Sequence, residues 1–331
     1  MMPLIPQGLS LWSDFKSGSL APAGLNNREK LNPHKTSDTA FAYNQAGEDY
    51  AMYADGNATD LFDFTGLHAF ADKQLWKQLE STLMKLRETG TTTVNILDAG
   101  CGPGTWLRRL IIRAQELGFT TINARGFDIA REQLRRARFL SKELDASPGV
   151  HLRFDTGDLT QRLPEADGSI DIAICLYCVL NHLPVSSLEA VIKEFSRVTR
   201  GVFMTTVRPQ GSPPTVFVDS IEKASFFQNH PEADYFEVRL NDGQSFKLDV
   251  HLFSVAELRN CCANHFIVTN MIGLDLFHSR FAADARWAPH VTYKEDMFSE
   301  HLQRLEDIFS TDPDFIEHAT HLLLVGEKRH S

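Results

Sequence analysis

At 331 residues, 43% apolar and 23% charged, the chain is long enough to bury a full α/β core with room for an insertion or a tail. Its formal charge of −10 excludes the basic surface that phosphate backbones demand, so no nucleic-acid partner is expected. No apolar run is long enough to span a bilayer, and no membrane partner is expected either.

The first residues, MMPLIPQGLSLW, lack the basic start and continuous apolar region of a signal peptide. The five cysteines (Cys101, Cys175, Cys178, Cys261 and Cys262) follow no disulfide-framework spacing. A cytoplasmic location is therefore expected. Residues 1–38 are rich in Pro, Gly, Ser and Asn without periodicity and read as a mobile N-terminal extension. Residues 39–328 read as one domain. It opens with TAFAYNQAGEDYAMYADG, where Tyr43, Tyr50 and Tyr53 fall near one face of a helix. From Leu67 to Glu88, apolar residues at 75, 76, 79, 83 and 86 predict an amphipathic helix ended by Gly90.

The segment from Val94 to Thr105, VNILDAGCGPGT, follows. A short apolar strand ends at Asp98, a turn carries Gly100, Gly102 and Gly104, and the helix WLRRLIIRAQELG comes next. Glycines belong where backbone approaches a ligand closely or takes φ > 0, and a helix start behind them offers unpaired N–H groups. A dinucleotide fingerprint would read G-x-G-x-x-G. Here the spacing is G-x-G-x-G, and Asp98 stands two residues before the first glycine, where a pyrophosphate would meet a carboxylate. A cationic ligand suits that acid better. The stretch DAGCGPG resembles motif I of class I S-adenosylmethionine-dependent methyltransferases, D-x-G-x-G-x-G.

TINARGFDIA reads as a second strand ending at Asp128, followed by the helix REQLRRARFLSKEL. An acid at this tip can accept two hydrogen bonds from a ribose diol, for a dinucleotide and for adenosylmethionine alike. VHLRFDTGDL is a third strand ending in Gly157-Asp158-Leu159, and Gly-Asp is also common turn chemistry. SIDIAICLYCVLNHLP, residues 169–184, is a continuous apolar run expected of a buried parallel strand. Its C-x-x-C, Cys175 and Cys178, lacks partners at ligand spacing, so no metal site is expected. His182 has an intrinsic pKa suited to proton removal, which makes it the candidate catalytic base, although a lone histidine is often structural.

The helix SSLEAVIKEFSRVTR is expected to start at a Ser cap, and GVFMTTVRP is a fifth strand. Residues 235–254 read as a hairpin turned through Asn-Asp-Gly, a break in the strand–helix rhythm taken as a substrate lid. Ser254 to Glu257 forms a capping box at the next helix, and HFIVTNMIG and HLLLVGEK supply the last two strands. The long segment between them is a second insertion.

This succession resembles the class I methyltransferase fold over residues 40–328. The resemblance implies a doubly wound, Rossmann-like, seven-stranded, mostly parallel sheet with an antiparallel last strand, helices on both faces, and lid insertions at about 208–252 and 274–315. It implies S-adenosyl-L-methionine as cofactor, held by Tyr50, Asp98, Gly100, Cys101, Gly102, Asp128, Ile129, Gly157, Asp158, Leu159 and Cys175. The acceptor is expected to be a small molecule, with O-methylation favoured over N- or C-methylation, and the protein a monomer or homodimer. Phe226, Phe227, Tyr235, Phe253, Phe277, Phe281 and Trp287 form a pool of cavity aromatics, and His251, His278, Arg280 and Arg286 a pool of polar anchors. A nicotinamide-dependent oxidoreductase and a cofactor-binding protein without turnover are the competing classes.

Overall fold

Five apolar runs, each bounded by polar punctuation and each followed by an amphipathic helix or turn, are laid side by side as a parallel sheet. The computed structural model describes residues 39–40, 43–44, 60–64, 69–212, 224–240, 243, 245–278 and 295–329. The expected extension 1–38, Tyr50, Tyr53, Arg280, Phe281, Arg286 and Trp287 lie outside them, and so does the side chain of Phe227.

In chain order the sheet and its helices are α1 (Ala69–Glu88), β1 (Thr93–Ala99), α2 (Thr105–Glu116), β2 (Thr121–Asp128), α3 (Arg131–Leu140), β3 (Val150–Thr156), β4 (Ile170–Cys175), α4 (Val185–Val198) and β5 (Thr199–Val207). After the insertion come α5 (Val255–Ala263), β9 (Phe266–Leu274), α6 (Glu295–Phe309) and β10 (His321–Lys328). The strand order is β3-β2-β1-β4-β5-β10-β9. β10 runs antiparallel to both β5 and β9, while β1 to β5 pair in parallel. This is the sheet the sequence predicts.

Side chains alternating along β1 feed two cores. Val94 and Ile96 pack with Leu75, Leu79 and Leu83 of α1 and Leu107, Leu110 and Ile111 of α2. Leu97 and Ala99 pack on the other face with Leu188, Ile192 and Phe195 of α4 and Leu258 of α5. The apolar stripe of α1 thus buries itself as its spacing requires, with Trp76 and Leu86 at its margin.

The expected hairpin is present, with β7 (Tyr235–Leu240) antiparallel to β8 (Ser245–Asp249). A further strand, β6 (Ala224–His230), pairs with β7 and makes a three-stranded sheet. β6 escaped notice because ASFFQNH has no alternation of apolar and polar residues. The capping box at Ser254 and Glu257 forms as expected. The Ser cap of α4 does not. The helix begins at Val185 behind Pro184, and the Ser187 hydroxyl donates back to the Pro184 carbonyl at 2.7 Å. Pro184 occupies the N-cap with no side chain able to accept, and its carbonyl accepts from Ser187 N at 2.8 Å. No helix among the described residues is long and apolar enough to cross a membrane.

Candidate active site

The site lies at the carboxyl ends of β1, β2, β3 and β4, where open α/β sheets hold their ligands. Gly100, Gly102 and Gly104 all take left-handed φ, at 72°, 51° and 78°. The Gly100 and Cys101 N–H groups donate to the Phe127 carbonyl at 2.8 and 3.0 Å, binding the turn to the tip of β2. A Cβ on Gly100 would stand 2.4 Å from Val179 Cγ2, so Val179 lies directly on the turn. Gly100→Ala is therefore expected to abolish S-adenosylhomocysteine binding in a folded protein. Titration calorimetry alongside a melting curve checks this, and wild-type affinity would remove the turn from the site.

Asp98 is buried on the α2 side of the sheet, 3% exposed. Burial, with the Asp128 carboxyl adding its charge, pushes Asp98 up to about 8. No donor among the described residues bonds its oxygens. A buried carboxyl in that state is suited to a cationic group. Asp128 is held differently. Its carboxylate accepts from Gly102 N at 2.9 Å and Ala130 N at 2.8 Å, while burial holds its pKa above the usual range. It shapes the glycine turn from below, a duty that spacing alone does not disclose. Ile129, half-buried, follows it at the strand tip.

Gly157 N donates to the Asp128 carbonyl at 3.1 Å, so the tips of β2 and β3 adjoin. The Asp158 carboxylate caps the turn beyond, accepting from Thr160 N and Oγ1, each at 2.8 Å. The turn reading of this Gly-Asp holds, and Gly157 meets the backbone of Asp128 at the tip of β2. Leu159 is buried in the α4-side core. Two expected cofactor cysteines offer backbone alone. The Cys101 thiol is packed under the turn, the Cys175 thiol lies in the α4-side core, and burial pushes both well up. All five cysteines are free.

Beyond β4, Tyr177 and Cys178 are consecutive non-glycine residues in left-handed conformation, at φ 53° and 70°. Thr206 of β5 holds them, its hydroxyl accepting from Tyr177 N at 2.5 Å and its carbonyl from Cys178 N at 3.0 Å. Strain of this kind clusters at functional sites. It leads into a 3-10 turn, Val179–His182. The His182 ring is fully engaged: Nδ1 meets the Asp249 carbonyl at 2.7 Å and Nε2 the Tyr43 hydroxyl at 3.0 Å. A carbonyl only accepts, so Nδ1 carries the proton and Nε2 accepts from Tyr43. Burial, joined by the charge of Arg208, lowers the imidazole pKa and keeps the ring neutral, against the opposing hydrogen bond from Asp249.

Tyr43 is the described tyrosine of the N-terminal segment that reaches His182, whereas the resemblance implies Tyr50. Gln133 Nε2 donates to its carbonyl at 3.1 Å, and Glu132 N donates to Asn44 Oδ1 at 3.0 Å. The segment is thereby tied to the start of α3, next to Asp128. His251 is not an anchor open to an acceptor. Its Nδ1 and Nε2 face Asp234 and Glu257, each at 2.9 Å. Phe253, 1% exposed, is core and not cavity wall.

A family model described as a methyltransferase domain matches residues 96–201, from the middle of β1 to the start of β5. That stretch contains the glycine turn, Asp128, Asp158 and His182. Over those residues the chain is similar to S-adenosylmethionine-dependent methyltransferases, as DAGCGPG leads one to expect. Among curated relatives, the chain is 26% identical over 155 residues to an indolepyruvate C-methyltransferase of Streptomyces griseus, covering 46% of each chain. It thus spans about half the length of that relative. Among solved structures, it is similar to a geranyl diphosphate C-methyltransferase of Streptomyces coelicolor. There the TM-score is 0.50 at 14% identity, with 90% of this chain and 100% of the other covered. It is also similar to the magnesium protoporphyrin IX methyltransferase of Synechocystis PCC 6803, with a TM-score of 0.48 at 16% identity over 88% and 98% of the chains. At such identities the likeness is one of fold.

Proposed function

We propose that this methyltransferase moves the methyl group of S-adenosyl-L-methionine to a small-molecule acceptor that gives up a proton in the reaction. The observation that carries this reading is the neutral His182 ring, with Nδ1 committed to Asp249 and Nε2 accepting from Tyr43. An amine already bearing a lone pair needs no such base. A phenol or hydroxyl does, whereas a carboxylate is already ionised, and O-methylation is the first reading. An acidic carbon is the second, supported by the alignment with a C-methyltransferase.

The site's own residues fit the cofactor. Asp98 would take its ammonium group, and the turn at Gly100–Gly102 would lie along the methionine end. Asp128, Ile129 and Gly157 would hold the ribose, and Asp158 and Leu159 the adenine. Bound there, the sulfonium supplies an electrophilic methyl group with its leaving group already activated. The protein then contributes alignment and a proton acceptor. His182 Nε2 takes the acceptor's proton through the Tyr43 hydroxyl as the new bond to the methyl carbon forms. On this reading 39–328 is the catalytic domain, and the stretches at about 208–252 and 274–315 cover the acceptor.

Asp128→Ala is expected to remove charge-assisted hydrogen bonds worth about 1.5–3 kcal/mol each and weaken S-adenosylhomocysteine roughly tenfold or more. Unchanged affinity by calorimetry would displace Asp128 from the site. The function itself is tested by incubating the protein with methyl-labelled cofactor and cell extract. Label in the small-molecule fraction, on oxygen or carbon, is the expected result. Label confined to protein or RNA overturns it.

A further inference from the structure

The insertion leaves the core at Arg208, just after β5, and returns at His251, just after β8. Between those two points in space stands Asn181, fully buried, in the 3-10 turn that carries His182. Every polar group of Asn181 is used. Its Oδ1 accepts from Arg208 N at 3.0 Å, and its Nδ2 donates to the Arg208 carbonyl at 3.1 Å and the His251 carbonyl at 2.5 Å. Its own carbonyl accepts from His251 N at 2.7 Å, and its N–H donates to the Cys178 carbonyl at 3.0 Å.

One side chain therefore reads both ends of the insertion as if it were a strand between them. Two residues before His251, the chain presents the Asp249 carbonyl that fixes the His182 tautomer. Asn181 and His182 are neighbours, so the clamp and the base share one turn of backbone.

We propose that Asn181 is a positioning residue: by pinning both ends of the insertion it places the Asp249 carbonyl on His182 Nδ1 and so keeps Nε2 unprotonated, the acceptor of the Tyr43 hydroxyl. The inference deepens the proposed reaction and rests on that reading for its meaning, since the placed nitrogen is the proposed base. The placement itself is a matter of geometry. Asn181→Asp is the informative change, because it keeps the acceptor for Arg208 N and removes both donors. The His251 carbonyl loses its side-chain donor, and a charge enters a buried site.

The test uses the full chain, 15N-labelled at histidine, with S-adenosylhomocysteine bound. In the wild type, His182 is expected to show a single tautomer protonated at Nδ1. In Asn181→Asp the ring proton should exchange at least about tenfold faster and the second tautomer appear, with S-adenosylhomocysteine affinity within about threefold of wild type. An unchanged His182 ring in a folded Asn181→Asp protein overturns the proposal. Hydrogen exchange of the wild type gives an arm that needs no variant. The Arg208 and His251 amides should exchange as slowly as those of β5, and loop-like exchange at either refutes the clamp. Neither readout requires methyl transfer. If the methyltransferase reading fails, the clamp is still measured, and if the clamp fails, the labelled-methyl experiment still stands.

Discussion

His182→Ala is expected to lower turnover by about 10²–10⁴-fold while leaving S-adenosylhomocysteine affinity nearly unchanged, the range that a positioned general base contributes. The split between the two numbers is the point. His182 stands in the 3-10 turn beyond β4, and the groups proposed to hold the cofactor stand at the tips of β1, β2 and β3. Tyr43→Phe removes the hydroxyl between Nε2 and the acceptor and should lose a smaller part of the same rate. Because burial lowers the pKa of His182, the ring stays neutral as pH falls through the ordinary imidazole value near 6.5. The acid limb of kcat should accordingly lie below about 6.5. Steady-state kinetics against pH, with cofactor affinity from calorimetry, check both points. Wild-type turnover in His182→Ala would refer proton removal to another group or to none.

Cofactor binding should release a proton from Asp98. In the free protein its carboxyl sits at about 8 and is mostly protonated at neutral pH. The ammonium group of S-adenosylhomocysteine favours the ionised form, so binding draws the proton off. Affinity should climb with pH toward about 8, by close to tenfold for each unit, one pKa unit being worth about 1.36 kcal/mol. The stability side has a definite sign. A carboxyl raised in the folded state contributes its full share below its unfolded value of 3.8, and that share is lost as pH rises through about 8. The free protein should weaken across this window, and the ligand should restore it. Calorimetry in buffers of different ionisation enthalpy counts the protons. Flat affinity between pH 6 and 8 would show that Asp98 is ionised before the ligand arrives.

The sheet was legible because it is written in local signals. β1, β2 and β3 close on glycine or an acid, β4 is a continuous apolar run, and the helices bury stripes at helical spacing. The places of the three acids and the glycine turn at strand ends were legible for the same reason, since each closes or follows a strand that can be recognised on its own. Tyr43, Asn181 and Asp249 were not. Tyr43 looked like one of three equivalent tyrosines, and its partnership with His182 spans 139 positions of sequence. Asn181 looked like a polar residue in a loop, because nothing local shows that the two ends of the insertion converge on it. Asp249 acts through a backbone carbonyl, which every residue has. His251 was misread because its carboxylate partners, Asp234 and Glu257, become visible as partners only once the insertion has folded back.

The bridge between Pro209 and Phe253, reinforced by Gln210 N on the Phe253 carbonyl at 2.9 Å, brings the two necks of the insertion side by side. A segment whose ends already touch costs the host little chain entropy, whatever its length. Such a segment is a cassette. It can be lengthened, shortened or exchanged with its two necks still held together by the Pro209–Phe253 bridge. The family match ends at Gly201, before the cassette begins.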